Sequence, residues 1–256
     1  MTYSSLRTVQ VLRYVTPLRE GGSLPAIVDA DDGFLYVLKF RGAGQGTKAL
    51  IADLIGAELF RALGFKVPEL VFAGLDHAFG RTEPDPEIQE LLRASEGVNL
   101  ALHYLSGAIT FDPVVMKADA LLASKIVWID SLLMNVDRTA RNTNMLCWNK
   151  ELWLIDHGAA LYFHHAPENW EEQAARPFTA IKDHVLLPQA DRLEEAEAQL
   201  KPLITDELLQ HLAGLIPHDW LDPVVPRELY IAFLEKRLQH SELFLNQAIH
   251  ARKLLF

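Results

Sequence analysis

The chain has 256 residues, of which 50% are hydrophobic and 23% are charged, and its formal net charge is −10 at pH 7. This length can bury a sizeable core and fits one two-lobed domain or two small ones. The negative charge argues against nucleic-acid binding through a broad basic surface. A single cysteine, Cys147, excludes an internal disulfide framework and fits a reducing cytoplasm. No stretch has the ~18 uninterrupted apolar residues of a membrane span, so we expect a cytoplasmic protein without membrane contact.

The first hundred residues are predicted to be rich in strands around one helix. Three segments have the alternation, or the β-branched and aromatic residues, that are typical of strands: Val9–Val15, Phe34–Phe40 and Val98–Leu105. A helix is predicted to begin at Thr47, a plausible N-cap, and to end at Gly64, with Pro68 just beyond it. We therefore expect a small antiparallel sheet with this helix packed on it.

Helices are predicted to dominate from about Met116 onward. The apolar run Ala118–Val136 carries several polar residues, which indicates a buried helix rather than a membrane span. Two short strands, Asn144–Trp148 and Glu151–Ile155, are expected to form a hairpin through Asn149–Lys150. Leucines near three-four spacing predict amphipathic helices in the C-terminal part: Arg192–Gln199, Asp206–Leu215 and Arg227–Phe256.

The most informative stretch is residues 135–142, Asn-Val-Asp-Arg-Thr-Ala-Arg-Asn. It places Asn142 five residues after Asp137, and the predicted hairpin then leads to Asp156 within Ile-Asp-His-Gly. Phosphoryl transfer to a hydroxyl needs one carboxylate to accept the proton, and an amide oxygen plus a carboxylate to hold magnesium against ATP. Protein kinases have the same Asp-x-x-x-x-Asn spacing and a later strand-borne Asp-x-Gly. The combined pattern therefore indicates a phosphotransferase.

Lys39 ends a predicted strand that resembles the lysine-bearing strand of kinases, where the ammonium pairs with ATP phosphates. Alternation puts Val37 and Lys39 on one face, so the lysine would point toward a cleft if the other face is core. The alternative is an edge-strand lysine in water. Asp53 and Glu58 are both candidates to hold this lysine, and we favour Asp53. We expect the charge of Lys39 to serve only the ligand.

Two glycine-rich segments compete as the phosphate-binding loop. Gly21, Gly22 and Ser23 lie between the first two strands, where a kinase loop covers the phosphates with backbone N–H groups. The segment 42–46 fails the P-loop pattern, because Thr47 stands where a glycine must precede the lysine. We assign phosphate contact to Gly21, Gly22 and Ser23.

A small sheet-containing lobe over residues 1–105, followed by a larger helical lobe over 106–256, is the α+β layout of the protein-kinase-like fold. The chain resembles the HipA-like kinases, bacterial serine/threonine kinases best known as the toxin of a toxin–antitoxin pair. The resemblance rests on five segments: 21–25, 37–40, 63–68, 135–142 and 155–158. It is closer to a shorter subgroup that lacks the N-terminal subdomain of the full-length toxin.

The resemblance implies a role for each of four residues. Asp137 would be the catalytic base, Asn142 and Asp156 would hold Mg²⁺, and Lys39 would bind the phosphates of ATP. No His-Arg pair precedes Asp137, so control by an activation-loop phosphate through that arginine is not expected.

Other residues near the site have more than one interpretation. The fold would make the backbone of His103, Tyr104 and Leu105 the hinge that contacts adenine. Arg138 and Arg141 flank the catalytic pattern. Each of them would meet transferred phosphate or an acidic partner, or would simply be solvated. His157 is expected to be structural, and adjacent histidines at 164 and 165 do not predict a metal site.

The sequence thus predicts an ATP- and Mg²⁺-dependent kinase that phosphorylates a serine or threonine hydroxyl of an unidentified protein. One alternative is a small-molecule kinase that resembles aminoglycoside or lipid kinases. The other is a catalytically idle, kinase-shaped module that docks a partner, such as an antitoxin-like protein.

Overall fold

The computed structural model describes residues 5–18, 24–76, 79 and 85–256, and its N-terminal strands close into a barrel. The strands are β1 (Arg7–Pro17), β2 (Ala26–Ala30), β3 (Leu35–Lys39), β4 (Leu70–Leu75) and β5 (Gly97–His103). Their order is β1-β2-β3-β5-β4, and β1 also pairs with β4 in parallel. The expectation of a purely antiparallel sheet is therefore wrong at this one pairing. A ring with an odd number of strands cannot alternate direction all the way round, so closure requires a parallel pair.

Alternation along β3 determines where Lys39 points. Tyr36 and Leu38 are fully buried in the barrel interior together with Val28 of β2. Because neighbouring side chains of a strand lie on opposite faces, Val37 and Lys39 lie outside the barrel. Both residues line the cavity described below, as the alternation predicted.

The helix α1 (Thr47–Ala62) lies between the barrel and the helical part of the chain, and residues of both sides pack with it in one continuous core. It follows Gly46, which has a φ of 67° and provides no side-chain cap. Thr47 is therefore the first helical residue and not the N-cap, and its hydroxyl donates instead to the carbonyl of Trp220. The helix ends before Gly64, whose φ of 87° is the left-handed conformation that glycine adopts most readily.

A three-stranded sheet follows α2 (Pro86–Ala94) and β5. It consists of β6 (Ile109–Thr110), β7 (Met145–Trp148) and β8 (Glu151–Leu154). The turn residues Asn149 and Lys150 have φ values of 50° and 66°, which suit a tight two-residue hairpin turn. The predicted hairpin is thus present, whereas β6 is an addition that the sequence pattern did not predict.

The C-terminal part is helical, with α3 (Ala120–Leu133), α4 (Trp170–Ala174), α5 (Leu193–Leu200), α6 (Asp206–Gly214), α7 (Arg227–Gln239) and α8 (Ser241–Lys253). The predicted run over 227–256 is therefore two helices, which meet at His240. Three-four spacing of buried residues continues across the break, so periodicity alone does not reveal it. None of the helices in the described parts of the chain is long and apolar enough to cross a membrane.

The buried Arg237 of α7 ties the helices together. Its guanidinium donates to the carbonyls of Ser131 and Leu132 at the end of α3, and to those of Ala174 and Arg176. Burial lowers the pKa of Arg237 to about 9. The last carbonyl groups of α3, which have no hydrogen-bond partner within their own helix, thereby accept hydrogen bonds from a side chain of α7.

The segment 218–222, between α6 and α7, docks on the barrel. The indole N–H of Trp220 donates to the carbonyl of Val98 at 2.9 Å, and its ring meets Phe72 edge-on. Arg41 forms an ion pair with Asp219 at 2.6 Å. The barrel and the helical part are therefore joined here as well as through the connection that follows β5.

Gly56 is the position at which α1 comes closest to the segment after β8. A Cβ atom on Gly56 would lie 2.6 Å from Cβ and 3.0 Å from Cγ of the buried His157. We predict that Gly56→Ala lowers the free energy of unfolding by about 1–3 kcal/mol, because the helix must move away from His157. Thermal melting of the purified variant measures the loss.

The matched control is Gly214→Ala at the end of α6, where nothing lies within 4 Å of the added methyl group. This variant should be neutral or slightly more stable, since alanine favours helix over glycine. Equal melting temperatures for Gly56→Ala and Gly214→Ala would contradict the close approach.

Candidate active site

A cavity of about 1390 Å³ lies between the barrel and the hairpin of β7 and β8. The residues proposed from the sequence that line it are Lys39, His103, Tyr104, Leu105, Asn142 and Asp156. Apolar side chains, including Val37, Leu102 and Ile155, form part of its wall. The cavity therefore combines an apolar wall with a small number of charged and amide groups, as ligand sites commonly do.

Lys39 lies between two carboxylates that come from distant parts of the chain. Its Nζ is 2.6 Å from Oδ2 of Asp53 and 2.7 Å from Oδ1 of Asp156. Burial by itself would lower the pKa of Lys39, but the charges of Asp156 and Asp53 outweigh it and raise the pKa above its ordinary value. Of the two acids considered for this contact, Asp53 makes it, whereas Glu58 pairs with Arg61.

Asp53 is fully buried and also holds the segment that follows Asp156. Its Oδ1 accepts a hydrogen bond of 2.6 Å from the backbone N–H of His157. Burial would raise the pKa of Asp53, but Lys39 and His157 hold it well below its usual range. The expectation that Lys39 serves only the ligand is therefore wrong, because its ammonium neutralises a carboxylate that has no access to water.

The chain returns to the cavity at Asp156 through the hairpin. The N–H of Ile155 donates to the carbonyl of Asn144 at 3.1 Å, which closes the base of the hairpin. Asp156 follows with a φ of 53°, in the left-handed region, and its carboxylate is partly exposed to the cavity. His157 behind it is fully buried, with its ring 5.1 Å from that of Phe60, which fits the structural role expected for it.

Within the described part of the chain, one carboxylate oxygen of Asp137 accepts hydrogen bonds and the other has no donor. Its Oδ2 accepts hydrogen bonds from Nδ2 of Asn142 at 2.7 Å and from Nδ2 of Asn144 at 3.2 Å. Both asparagines line the cavity, whereas Asp137 itself does not and reaches it only through these two hydrogen bonds. No described residue donates a hydrogen bond to Oδ1 of Asp137. Sequence reasoning missed Asn144. The only available signal was that this asparagine lies two residues after Asn142.

A buried cluster around Asp130 holds this loop in place. Oδ2 of Asp130 accepts from Nε of Arg138 at 2.6 Å and lies 3.0 Å from Nε2 of His184, while Oδ1 accepts from Asn135 at 2.9 Å. Burial would raise the pKa of Asp130, but Arg138 and His184 keep it well below its usual range.

Arg138 is therefore neither free to meet phosphate or an acidic partner nor solvated, and the sequence interpretations of it are wrong. Its side chain is fully buried, and its Nη1 donates to the carbonyl of Asn144 and, at 3.4 Å, to that of Ile155. Arg138 thereby connects the loop that carries Asp137 to the base of the hairpin. Arg141, by contrast, is exposed and lines the cavity.

The hinge region offers one backbone donor. The N–H groups of His103 and Tyr104 donate to the carbonyls of Glu69 and Leu35, at 2.8 and 2.9 Å. The N–H of Leu105 has no acceptor among the residues that the structure describes. Of these three cavity-lining residues, Leu105 is therefore the one whose backbone N–H is left without an acceptor in the described ranges.

The proposed phosphate-contact residues Gly21, Gly22 and Ser23 lie outside the described residues. The end of β1 and Pro25, the residue just before β2, line the cavity, and the N–H of Leu18 donates to the carbonyl of Pro25 at 2.7 Å. No group of three histidine, cysteine, aspartate or glutamate side chains that suits a metal ion occurs in the described ranges. The oxygen donors among the lining residues include the Asn142 amide and the Asp156 carboxylate, a pair that suits a hard cation with additional ligands from phosphate and water.

Comparison with known proteins identifies the family. The sequence model of the HipA-like kinases matches residues 11–244 of this chain. The chain belongs to the HipA-like kinase family. No curated protein matches it in sequence.

Two solved kinase structures align with this HipA-like kinase. The structure of CtkA, a proinflammatory kinase of Helicobacter pylori, aligns with a TM-score of 0.59 at 16% identity, over 98% of this chain and 99% of that chain. The Golgi casein kinase with Mn/ADP bound aligns with a TM-score of 0.49 at 13% identity, over 99% of this chain and 75% of that chain. The likeness to CtkA shows an α+β, kinase-like fold.

The Asp130 cluster gives a direct stability prediction. Asp130→Asn should lower the free energy of unfolding by about 3 kcal/mol or more, because it leaves the buried charge of Arg138 without its carboxylate. Urea denaturation followed by circular dichroism measures the change. The control is Glu172→Gln, which removes an exposed ion pair with Arg176 and should cost less than about 1 kcal/mol. Similar losses in the two variants would show that Asp130 does not have the anchoring role described above.

Proposed function

We propose that this HipA-like kinase transfers the γ-phosphoryl group of ATP to a serine or threonine hydroxyl of a protein, with Mg²⁺ as its metal ion. The observation that carries the proposal is the convergence of Lys39, Asp156 and Asn142 on one cavity, with the free oxygen of Asp137 beside them. These are the charged and amide groups that phosphoryl transfer requires.

The nucleotide side of the proposal rests on the wall of the cavity. The apolar side chains of Val37, Leu102 and Ile155 suit contact with the flat adenine ring. The N–H of Leu105 suits a hydrogen bond to an acceptor nitrogen of adenine. Lys39, held by Asp53, would bind the phosphates. Asn142 and Asp156 would hold Mg²⁺, which when bound neutralises charge on the phosphate oxygens.

The acceptor side rests on Asp137. Its Oδ1 accepts the proton of the hydroxyl while the hydroxyl oxygen forms its bond to the γ-phosphorus and the bond from that phosphorus to ADP breaks. The hydrogen bonds from Asn142 and Asn144 to Oδ2 fix the carboxylate, so that Oδ1 is the oxygen left for the substrate. Asn142 would serve two purposes, since its amide nitrogen holds Asp137 while its amide oxygen is left for the metal.

A protein acceptor and a cytoplasmic location are part of the proposal. The family supports the first, and the single, free Cys147 supports the second. A small metabolite as acceptor and a catalytically idle module bound to an antitoxin-like partner are the outcomes that the experiment below separates from it.

The two carboxylates should respond differently to the same substitution. Asp156→Asn should abolish the Mg²⁺-dependent part of ATP binding, because the metal loses its charged ligand. Asp137→Asn should retain ATP binding but lower the transfer rate by about 10²–10⁴-fold, because it removes the proton acceptor. The amide oxygen that this second substitution introduces still accepts from Asn142 and Asn144, so the loop keeps its structure.

Thermal shifts with ATP, with and without Mg²⁺, measure binding in wild type and both variants. ATP at 100 times its dissociation constant should stabilise the wild type by about 2.7 kcal/mol. Labelled γ-phosphate supplied to a cell lysate then measures transfer and separates protein from metabolite acceptors. Equal loss of ATP binding in both variants would refute the assigned roles, and label found only in metabolites would establish the small-molecule alternative. ATP binding without any transfer would establish the idle module.

A further inference from the structure

Arg141 is a cation in the cavity wall that the proposed chemistry leaves unused. The other lysine or arginine among the described lining residues is Lys39, whose charge is balanced by Asp53 and Asp156. Arg141 is exposed and forms no hydrogen bond or ion pair with any residue that the structure describes. In a chain with a net charge of −10, an unpaired guanidinium beside the site is available to a bound anion.

The backbone that carries Arg141 is held in one conformation. The N–H of Thr139 donates to the carbonyl of Asn142 at 2.9 Å, and the N–H of Asn142 lies 3.3 Å from the Thr139 hydroxyl. Thr139 also forms a β-bridge with His184. The loop is thus a closed turn that is tied to the buried Asp130 cluster. The backbone of this turn is therefore engaged in hydrogen bonds, and the side chain of Arg141 is the part of the residue that can contact a ligand.

The position of Arg141 on this turn places it on the acceptor side of the site. It follows Asp137, the proposed base, by four residues, and it directly precedes Asn142, which contacts that base. The hinge residues that would meet adenine belong to the barrel side of the cavity. A group bound by Arg141 is therefore closer to the reacting hydroxyl than to the adenine ring of the nucleotide.

One carboxylate shares this rim. Asp112 lines the cavity and is exposed, and its Oδ1 accepts from the N–H of Val114 at 2.8 Å. It forms no ion pair with Arg141. The turn that begins at Asp112 then presents Val114 and Val115, which are 82% and 73% exposed. Among the described residues that line the cavity, Arg141 is thus a cation without an ion-pair partner, and the exposed valines directly follow the lining residues Asp112 and Pro113 in the chain.

We propose that Arg141 determines acceptor specificity by binding an anionic side chain next to the serine or threonine that is phosphorylated. A guanidinium binds a carboxylate or a phosphate through two parallel hydrogen bonds, which fixes orientation as well as charge. The inference rests on the proposed protein-kinase function and deepens it, because it names the chemical class of the acceptor. Arg141 is a specificity residue here, and Asp137 remains the group that accepts the proton.

The test uses serine- and threonine-containing peptide libraries that differ only near the acceptor, with Glu, phosphoserine, Gln or Lys at each flanking position. The quantity measured is kcat/KM for wild type, Arg141→Gln, Arg141→Glu and the control Arg93→Gln. Arg93 is exposed on α2, away from the cavity. Thermal shifts with ATP and Mg²⁺ check nucleotide binding in each variant.

Wild type and Arg93→Gln should prefer an anionic residue at one flanking position over Gln by about fivefold in kcat/KM, a preference that weakens at high salt. Arg141→Gln should remove the preference and keep ATP binding, and Arg141→Glu should favour Lys instead. The peptides with Glu and with phosphoserine distinguish a carboxylate from a phosphate ligand.

Two results would overturn the proposed role of Arg141 alone. A third would also overturn the proposed protein-kinase function. An anion preference that survives in Arg141→Gln would show that another residue sets it. An equal loss of transfer to all peptides together with weaker ATP binding would assign Arg141 to the nucleotide instead. If wild type labels no peptide although it binds ATP and Mg²⁺, the proposed protein-kinase function fails, and this inference fails with it.

Discussion

The active site depends on the burial of one carboxylate, that of Asp130, inside the helical part of the chain. A charge without water is costly unless it is paired and fully hydrogen-bonded, and Arg138, His184 and Asn135 together meet that requirement. These partners belong to the loop that carries Asp137 and to the segment that precedes α5. Because Arg138 continues to the carbonyls of Asn144 and Ile155, the same charge also fixes the base of the hairpin.

A second buried pair, Lys39 with Asp53, connects the barrel to this arrangement. Asp53 reaches both the lysine of β3 and the backbone N–H of His157, so it sets the position of the residue next to Asp156. The site is thus assembled from two fully buried aspartates, neither of which faces the cavity. The cavity-lining groups Asp156, Asn142 and Arg141 are thus positioned through their backbones by buried residues that do not line the cavity themselves.

The parts of the structure that depend on local spacing were predictable. Strand alternation predicted the outward face of Lys39, and Asn149–Lys150 predicted the hairpin. The Asp-x-x-x-x-Asn pattern and the later Asp-x-Gly predicted that Asn142 and Asp156 lie at one cavity. The parts that depend on distant partners were not predictable. His184 meets Asp130 across 54 residues, and no local pattern marks either of them or the burial of Arg138. Barrel closure was missed for the same reason, since alternation within β1 carries no information about which strand lies at its other edge.

The docking of the segment 218–222 on the barrel has a mechanical consequence. Kinase-like molecules commonly change the opening of the cleft by rotation about the hinge, and such motions use a few flexible residues. Here a rotation would have to withdraw the indole of Trp220 from Val98 and Phe72 and break the pair of Arg41 with Asp219. The start of α1 is held by the same segment through Thr47. These contacts therefore oppose a rotation of the barrel against the helical part, and any such rotation has to break a hydrogen bond, a ring contact and an ion pair together.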